Sequence, residues 1–178
     1  RTHGIQHVKS LNRPIVIAAL AALGSAIAVG VCLAPSQRVA APEASFTTIE
    51  GQTLATADLR GKVVLVNFWA TDCIPCMREM PRIVQTYNKY RARGFETVAV
   101  AMSYDPPTRV LDYARKNALP FKVALDLSGE LARRFGDVQF TPTSFVIDRR
   151  GRIVKRYLGE PDFAALHALL ERAIGEPA

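Results

Sequence analysis

Val63-Val64-Leu65-Val66-Asn67-Phe68-Trp69-Ala70-Thr71-Asp72-Cys73-Ile74-Pro75-Cys76 is an apolar run that ends on a pair of cysteines. Its opening residues are β-branched or apolar almost throughout, the signature of a central strand buried on both faces. The strand delivers both cysteines onto the start of a helical pattern. At that spacing the two sulfurs share one face of the first turn and lie within bridging reach. The leading sulfur also sits where unpaired backbone N–H groups and the helix dipole favour negative charge. Cys73 is therefore the expected nucleophile and Cys76 the sulfur that resolves the mixed disulfide. Spacing alone also admits a permanent structural disulfide or half of a zinc site. Zinc needs two more ligands, and neither a second cysteine pair nor a histidine pair at finger spacing exists.

The flanking sequence continues an α/β pattern. From Cys73 to Arg93, Met77, Met80, Ile83, Val84, Tyr87 and Tyr90 recur at helical spacing, with Pro81 expected to kink the helix and Gly94 to stop it. Phe95 to Met102 reads as the next central strand. Pro106 to Asn117 reads as a helix with Asp105 as its N-cap. A short strand over Phe121 to Leu125 and a short helix over Ser128 to Phe135 follow. The chain then closes with a hairpin, Thr143 to Ile147 and Ile153 to Leu158, and an amphipathic helix from Pro161 to Ile174. Upstream, Thr47 to Thr53 reads as a small hairpin. Alternating strands and helices with a terminal hairpin describe a mixed sheet flanked by helices.

The start of the chain reads differently. Ile15 to Ala34 is twenty residues without a charge, preceded by Arg1, Lys9 and Arg13 and no acid. That length suits a bilayer-spanning helix, and the basic flank keeps its leading end in the cytoplasm. A cleavable signal peptide and lipid attachment at Cys32 are the alternative readings, and all three imply export. The expected organisation is an anchor with its flank over 1–34, an Ala/Pro/Ser-rich linker over 35–45, and one domain over 46–178. Three of the 23 basic residues and none of the 16 acidic ones precede residue 35, so the rest of the chain holds +4 of the +7 net charge. The basic balance is thus partly topogenic, and no nucleic-acid stripe with interleaved aromatics is visible.

Val-Leu-Val-Asn-Phe-Trp-Ala-Thr-x-Cys-x-Pro-Cys-x-x-Glu-Met-Pro, together with Thr141-Pro142-Thr143, resembles the membrane-anchored TlpA/ResA/CcmG branch of the thioredoxin-like proteins. The resemblance covers roughly residues 45–175. It implies a thioredoxin fold with an inserted helix and strand, well matched by residues 104–127. It further implies a thiol–disulfide oxidoreductase, often a reductant in cytochrome c maturation, with no cofactor and no metal. Its partners would be a disulfide-bearing client protein and a membrane thiol reductant that recharges the pair, with the lipid bilayer holding the N-terminal helix at the inner membrane and the domain on the periplasmic side. By the same resemblance Thr141 and a cis Pro142 form a substrate-facing wall, and an extended client segment hydrogen-bonds the Thr141 backbone. Trp69 is expected beneath the site as an aromatic platform for substrate, with plain core packing as the competing reading.

Glu79 lies three residues after Cys76, one turn further on the same helix side. The resemblance places a buried glutamate there, able to exchange a proton with Cys76; the competing reading is a solvated charge paired with Arg82 or Lys89. Asn67 stands where many thioredoxins have a buried aspartate and cannot exchange protons. Asp72 departs from the family's usual Trp before the first cysteine, which leaves redox potential and client choice open. Two other functions fit less well. A peroxiredoxin-type peroxidase lacks its Pro-x-x-x-Thr-x-x-Cys pattern, and a copper-handling module has soft thiolates but no neighbouring histidine.

Overall fold

The computed structural model describes residues 38–178. The expected anchor lies outside them; among the described residues no helix is long and apolar enough to cross a membrane. A six-stranded mixed sheet forms the centre. It contains β1 (Val39–Ala40), β4 (Val63–Trp69), β5 (Phe95–Ala101), β6 (Lys122–Leu125), β7 (Thr143–Ile147) and β8 (Arg152–Leu158), in the order β1-β8-β7-β4-β5-β6. β4, β5 and β6 are parallel neighbours, whereas β7 and β8 run antiparallel. A separate hairpin pairs β2 (Ser45–Thr47) with β3 (Thr53–Ala55).

All seven residues of β4 are buried, as a strand with both faces covered requires. Its side chains alternate between two cores. Val63, Leu65 and Trp69 join the core under α1 (Ile74–Tyr90), α2 (Pro107–Lys116) and α4 (Phe163–Gly175). Val64, Val66 and Phe68 join Phe46 of the small hairpin and Leu131 of α3 (Glu130–Arg134) on the other face. Residues 104–127 supply α2 and β6, the helix and strand expected as an insertion, and the parallel crossover extends the sheet by one strand.

Several boundaries differ from the sequence reading. Val39–Ala40, within the stretch read as linker, adds a short edge strand to β8, and the compact unit begins at Arg38. Arg38 is held there by Asp148 and Glu176 at 3.3 and 2.7 Å. The hairpin is displaced outward so that Phe46, wholly buried, pairs with Leu54. The first helix passes through Pro81 without a break and ends at Tyr90; a 3-10 turn over Arg91–Arg93 then leads to Gly94 at φ 86°. Asp105 is not a cap. The residue before α2 is Pro106, and the Asp105 carboxylate is turned inward to a distant partner.

Candidate active site

Trp69 ends β4, and a short turn later Cys73 caps the N-terminus of α1. The two cysteines are disulfide-bonded, with Cα atoms 5.2 Å apart. They are not equivalent. Cys76 is 0 % exposed, while Cys73 is half-buried and reachable from solvent. The Cys76 backbone N–H donates to Cys73 Sγ at 3.3 Å, so a free amide of the first helical turn already faces the sulfur that becomes a thiolate on reduction. Of the two sulfurs, Cys73 is the one that solvent reaches and that a helix amide faces.

Antiparallel register brings the second wall alongside. Phe68 pairs with Thr143, so Pro142, one residue earlier, lies level with Trp69 at the end of β4 that feeds the cysteine turn. The Thr141–Pro142 bond is cis. Three apolar side chains flank these turns and stay exposed: Ile74 (73 %), Tyr104 (55 %) and Phe140 (67 %). Trp69 is not among them. It is fully buried with its ring 5.3 Å from that of Tyr113, so it forms the floor of the site and offers no surface to a substrate.

Glu79 faces inward, 0 % exposed, with Arg82 engaged instead by Glu160 at 3.1 Å. The solvated ion pair considered from sequence is therefore absent. Asn67 Nδ2 donates to Glu79 Oε1 at 2.8 Å and to Ser144 Oγ at 2.9 Å. Glu79 Oε2 and Asn67 Oδ1 are buried without a partner. Burial pushes the Glu79 carboxyl up to about 7, against the lowering pull of the Asn67 hydrogen bond and with a small push from Glu160. A buried carboxyl that changes charge near neutrality thus lies one helical turn after Cys76.

Sequence reasoning missed two polar residues. Ser144 is one. Asp105, 6 % exposed, is the other: it accepts from Thr71 N and Thr71 Oγ1, each at 2.6 Å. Thr71 belongs to the turn that presents Cys73, and the Tyr104 hydroxyl, next in the chain to Asp105, lies 3.4 Å from Thr141 Oγ1. One loop after β5 thus touches both walls of the site. Asp105→Ala leaves two donors of the cysteine turn unsatisfied and is expected to destabilise the oxidised protein by about 2 kcal/mol. Urea unfolding checks this, and an unchanged midpoint would remove Asp105 from the framework of the site. Asp72 is exposed, where solvent and salt screen its charge. A surface cleft of about 550 Å³ between the β2–β3 hairpin and α3 contains none of these residues.

Known proteins resemble this chain in sequence and in fold. The Redoxin family profile matches residues 36–170. The thiol-disulfide oxidoreductase ResA of Bacillus thuringiensis subsp. konkukian is 34 % identical over 132 residues, 74 % of this chain and 75 % of that protein. Among solved structures, a thioredoxin-family thiol:disulfide interchange protein from Chlorobium tepidum superposes with a TM-score of 0.72 at 32 % identity, covering 80 % of this chain and 100 % of that one. StoA from Bacillus subtilis gives 0.62 at 27 % identity, over 72 % and 96 %. With a disulfide-bonded cysteine pair at the head of α1, a cis-proline loop alongside and a buried carboxyl one helical turn further on, the chain belongs to the Redoxin family as a thiol–disulfide oxidoreductase of the TlpA/ResA/CcmG-like branch.

Proposed function

We propose that this oxidoreductase acts as a reductant on the exported side of the inner membrane, tethered there by residues 15–34, with client disulfides such as those met in cytochrome c maturation as its targets. The observation that carries the chemistry is the unequal burial of the pair: Cys73 exposed to attack and attacking, Cys76 sealed on the Glu79 side. The reduced Cys73 thiolate attacks one sulfur of a client disulfide. The Cys73–client bond forms, the client bond breaks, and the second client sulfur leaves with the electron pair. Cys76 then gives its proton to Glu79 and attacks Cys73 Sγ. The Cys73–Cys76 bond forms, the mixed disulfide breaks, and the first client sulfur leaves as a thiolate. Two electrons have passed to the client. A membrane thiol reductant returns them by the reverse exchange, because an oxidising compartment supplies no reducing pool.

Client docking follows from the walls. Thr141 makes no backbone hydrogen bond among the described residues, which leaves its peptide groups free for an extended client segment. Ile74 and Phe140 offer apolar contact on either side. The tether rests on the uncharged run from Ile15 to Ala34 and its basic flank.

A redox titration with thiol alkylation tests the direction of electron flow. The expected result is a reversible two-electron couple below about −200 mV, on the thioredoxin side of the scale; a midpoint near about −120 mV, in the range of strong oxidants, overturns the reductant reading. Alkaline carbonate washing of membranes tests the tether: the full chain should stay with the lipid, and recovery in the wash overturns it.

A further inference from the structure

The carboxyl that serves Cys76 is held in place by a residue on another strand. Asn67 is 0 % exposed and has one amide nitrogen with two hydrogens. Both are used, one on Glu79 Oε1 and one on Ser144 Oγ. Strand register makes the second contact, since Asn67 and Ser144 are direct partners in the β4–β7 ladder. An ionised carboxylate only accepts, so the nitrogen end of Asn67 must face it. The Ser144 bond then removes the remaining freedom of the amide. With Oε1 engaged, Oε2 is the oxygen left without a partner, buried in the same network.

We propose that Ser144, acting through Asn67, is a positioning residue that holds Glu79 with Oε2 free to receive the Cys76 proton during resolution of the mixed disulfide. The inference rests on the proton role given to Glu79 above. When Cys76 attacks Cys73 Sγ its S–H bond breaks, the proton moves to Oε2, and the sulfur electron pair enters the new S–S bond. The client sulfur leaves with the pair of the broken bond. Protonated Oε2 is a donor, and the unpartnered Asn67 Oδ1 is an acceptor in the same buried network. The other ionisable groups near Glu79 are few. On its own helix there are Cys76, one turn before it, and Arg82, one turn after it. From the segment before α4 comes Glu160, already shared by Arg78 and Arg82. On β8 there is Tyr157, which pairs in register with Ser144. None of these donates a hydrogen bond to Glu79 among the described residues; Asn67 does, and Ser144 orients it.

The test measures the rate of client-thiol release from the mixed disulfide between about pH 5 and 9 in the full chain, for wild type, Ser144→Ala, Ser144→Thr, Glu79→Gln and the double variant Ser144→Ala/Glu79→Gln. A loosened Asn67 bond stabilises the carboxylate less, so Ser144→Ala should move the midpoint upward by about half to one pH unit. That corresponds to roughly a two- to fivefold slower step near pH 7, converging with wild type by about pH 9. Ser144→Thr, which keeps the hydroxyl, should restore the wild-type midpoint. In the Glu79→Gln background Ser144→Ala should add no further shift. If Glu79→Gln itself leaves the wild-type profile unchanged, the proton role of Glu79 fails. If Glu79→Gln flattens the profile but Ser144→Ala superimposes on wild type, or slows the step equally at every pH, the Ser144 assignment alone is overturned. Carboxyl NMR of Glu79 in the oxidised protein tests the same assignment without turnover: an upward titration shift in Ser144→Ala supports it, and no shift refutes it.

Discussion

Cys73→Ser is expected to reduce disulfide exchange to the uncatalysed level, whereas Cys76→Ser is expected to keep the first attack and arrest the protein as a covalent mixed disulfide with its client. The asymmetry follows from position. Cys73 caps α1, receives the Cys76 amide N–H at 3.3 Å and is open to solvent, so its thiolate is both stabilised and accessible. A serine hydroxyl there is not ionised at neutral pH and forms no disulfide; covalent catalysis ends at the first step. Cys76 is 0 % exposed and cannot meet a client until Cys73 has brought one to it. Its loss removes the intramolecular attack that releases the client, and with it the advantage of a tethered nucleophile over thiols in solution. Non-reducing electrophoresis of cells carrying Cys76→Ser, followed by identification of the dithiothreitol-sensitive partner, checks both roles and names the client. Accumulation with Cys73→Ser in place of Cys76→Ser would reverse the assignment.

Local chemistry made much of this site legible. β4 was readable because burial on both faces leaves an unbroken apolar run, and α1 because its buried face repeats at helical spacing. The cysteine pair and Thr141–Pro142 are short motifs whose chemistry depends on adjacent residues. Spacing put Glu79 on the helix side of Cys76, but its burial was legible only through the family resemblance, since spacing alone equally allowed a solvated pair with Arg82 or Lys89. Asp105 and Ser144 carry no such local mark. Their partners stand 34 and 77 residues away, joined only when β4, β5 and β7 assemble. For Asp105 the local rule was misleading: an acid before Pro106 looks like a helix cap, yet two hydrogen bonds from Thr71 outweigh that option. Trp69 shows the opposite limit. Its place in the motif was plain, but whether an aromatic beside an active site faces the substrate or the core depends on packing, and Tyr113 of the inserted helix covers it.

Glu79→Gln is expected to slow resolution of the mixed disulfide while stabilising the oxidised fold at alkaline pH. Burial holds the native carboxyl at about 7, whereas the unfolded chain returns it to its ordinary 4.5. Between these values the native state binds the proton and the unfolded state does not. Stability is therefore greatest below about 4.5 and falls as pH rises toward 7, by roughly 3 kcal/mol in total above that window. Glutamine has nearly the same shape and never ionises, so the penalty disappears. Its oxygen can still accept from Asn67 Nδ2. Urea unfolding of the oxidised variant and wild type should coincide near about pH 4 and separate progressively to about pH 8, with the variant the more stable. Parallel curves across that range would mean that Glu79 is not held protonated by burial, and its place in the proton path would fall with it. A gain in stability joined to a loss in rate marks a group kept buried for its chemistry and not for the fold.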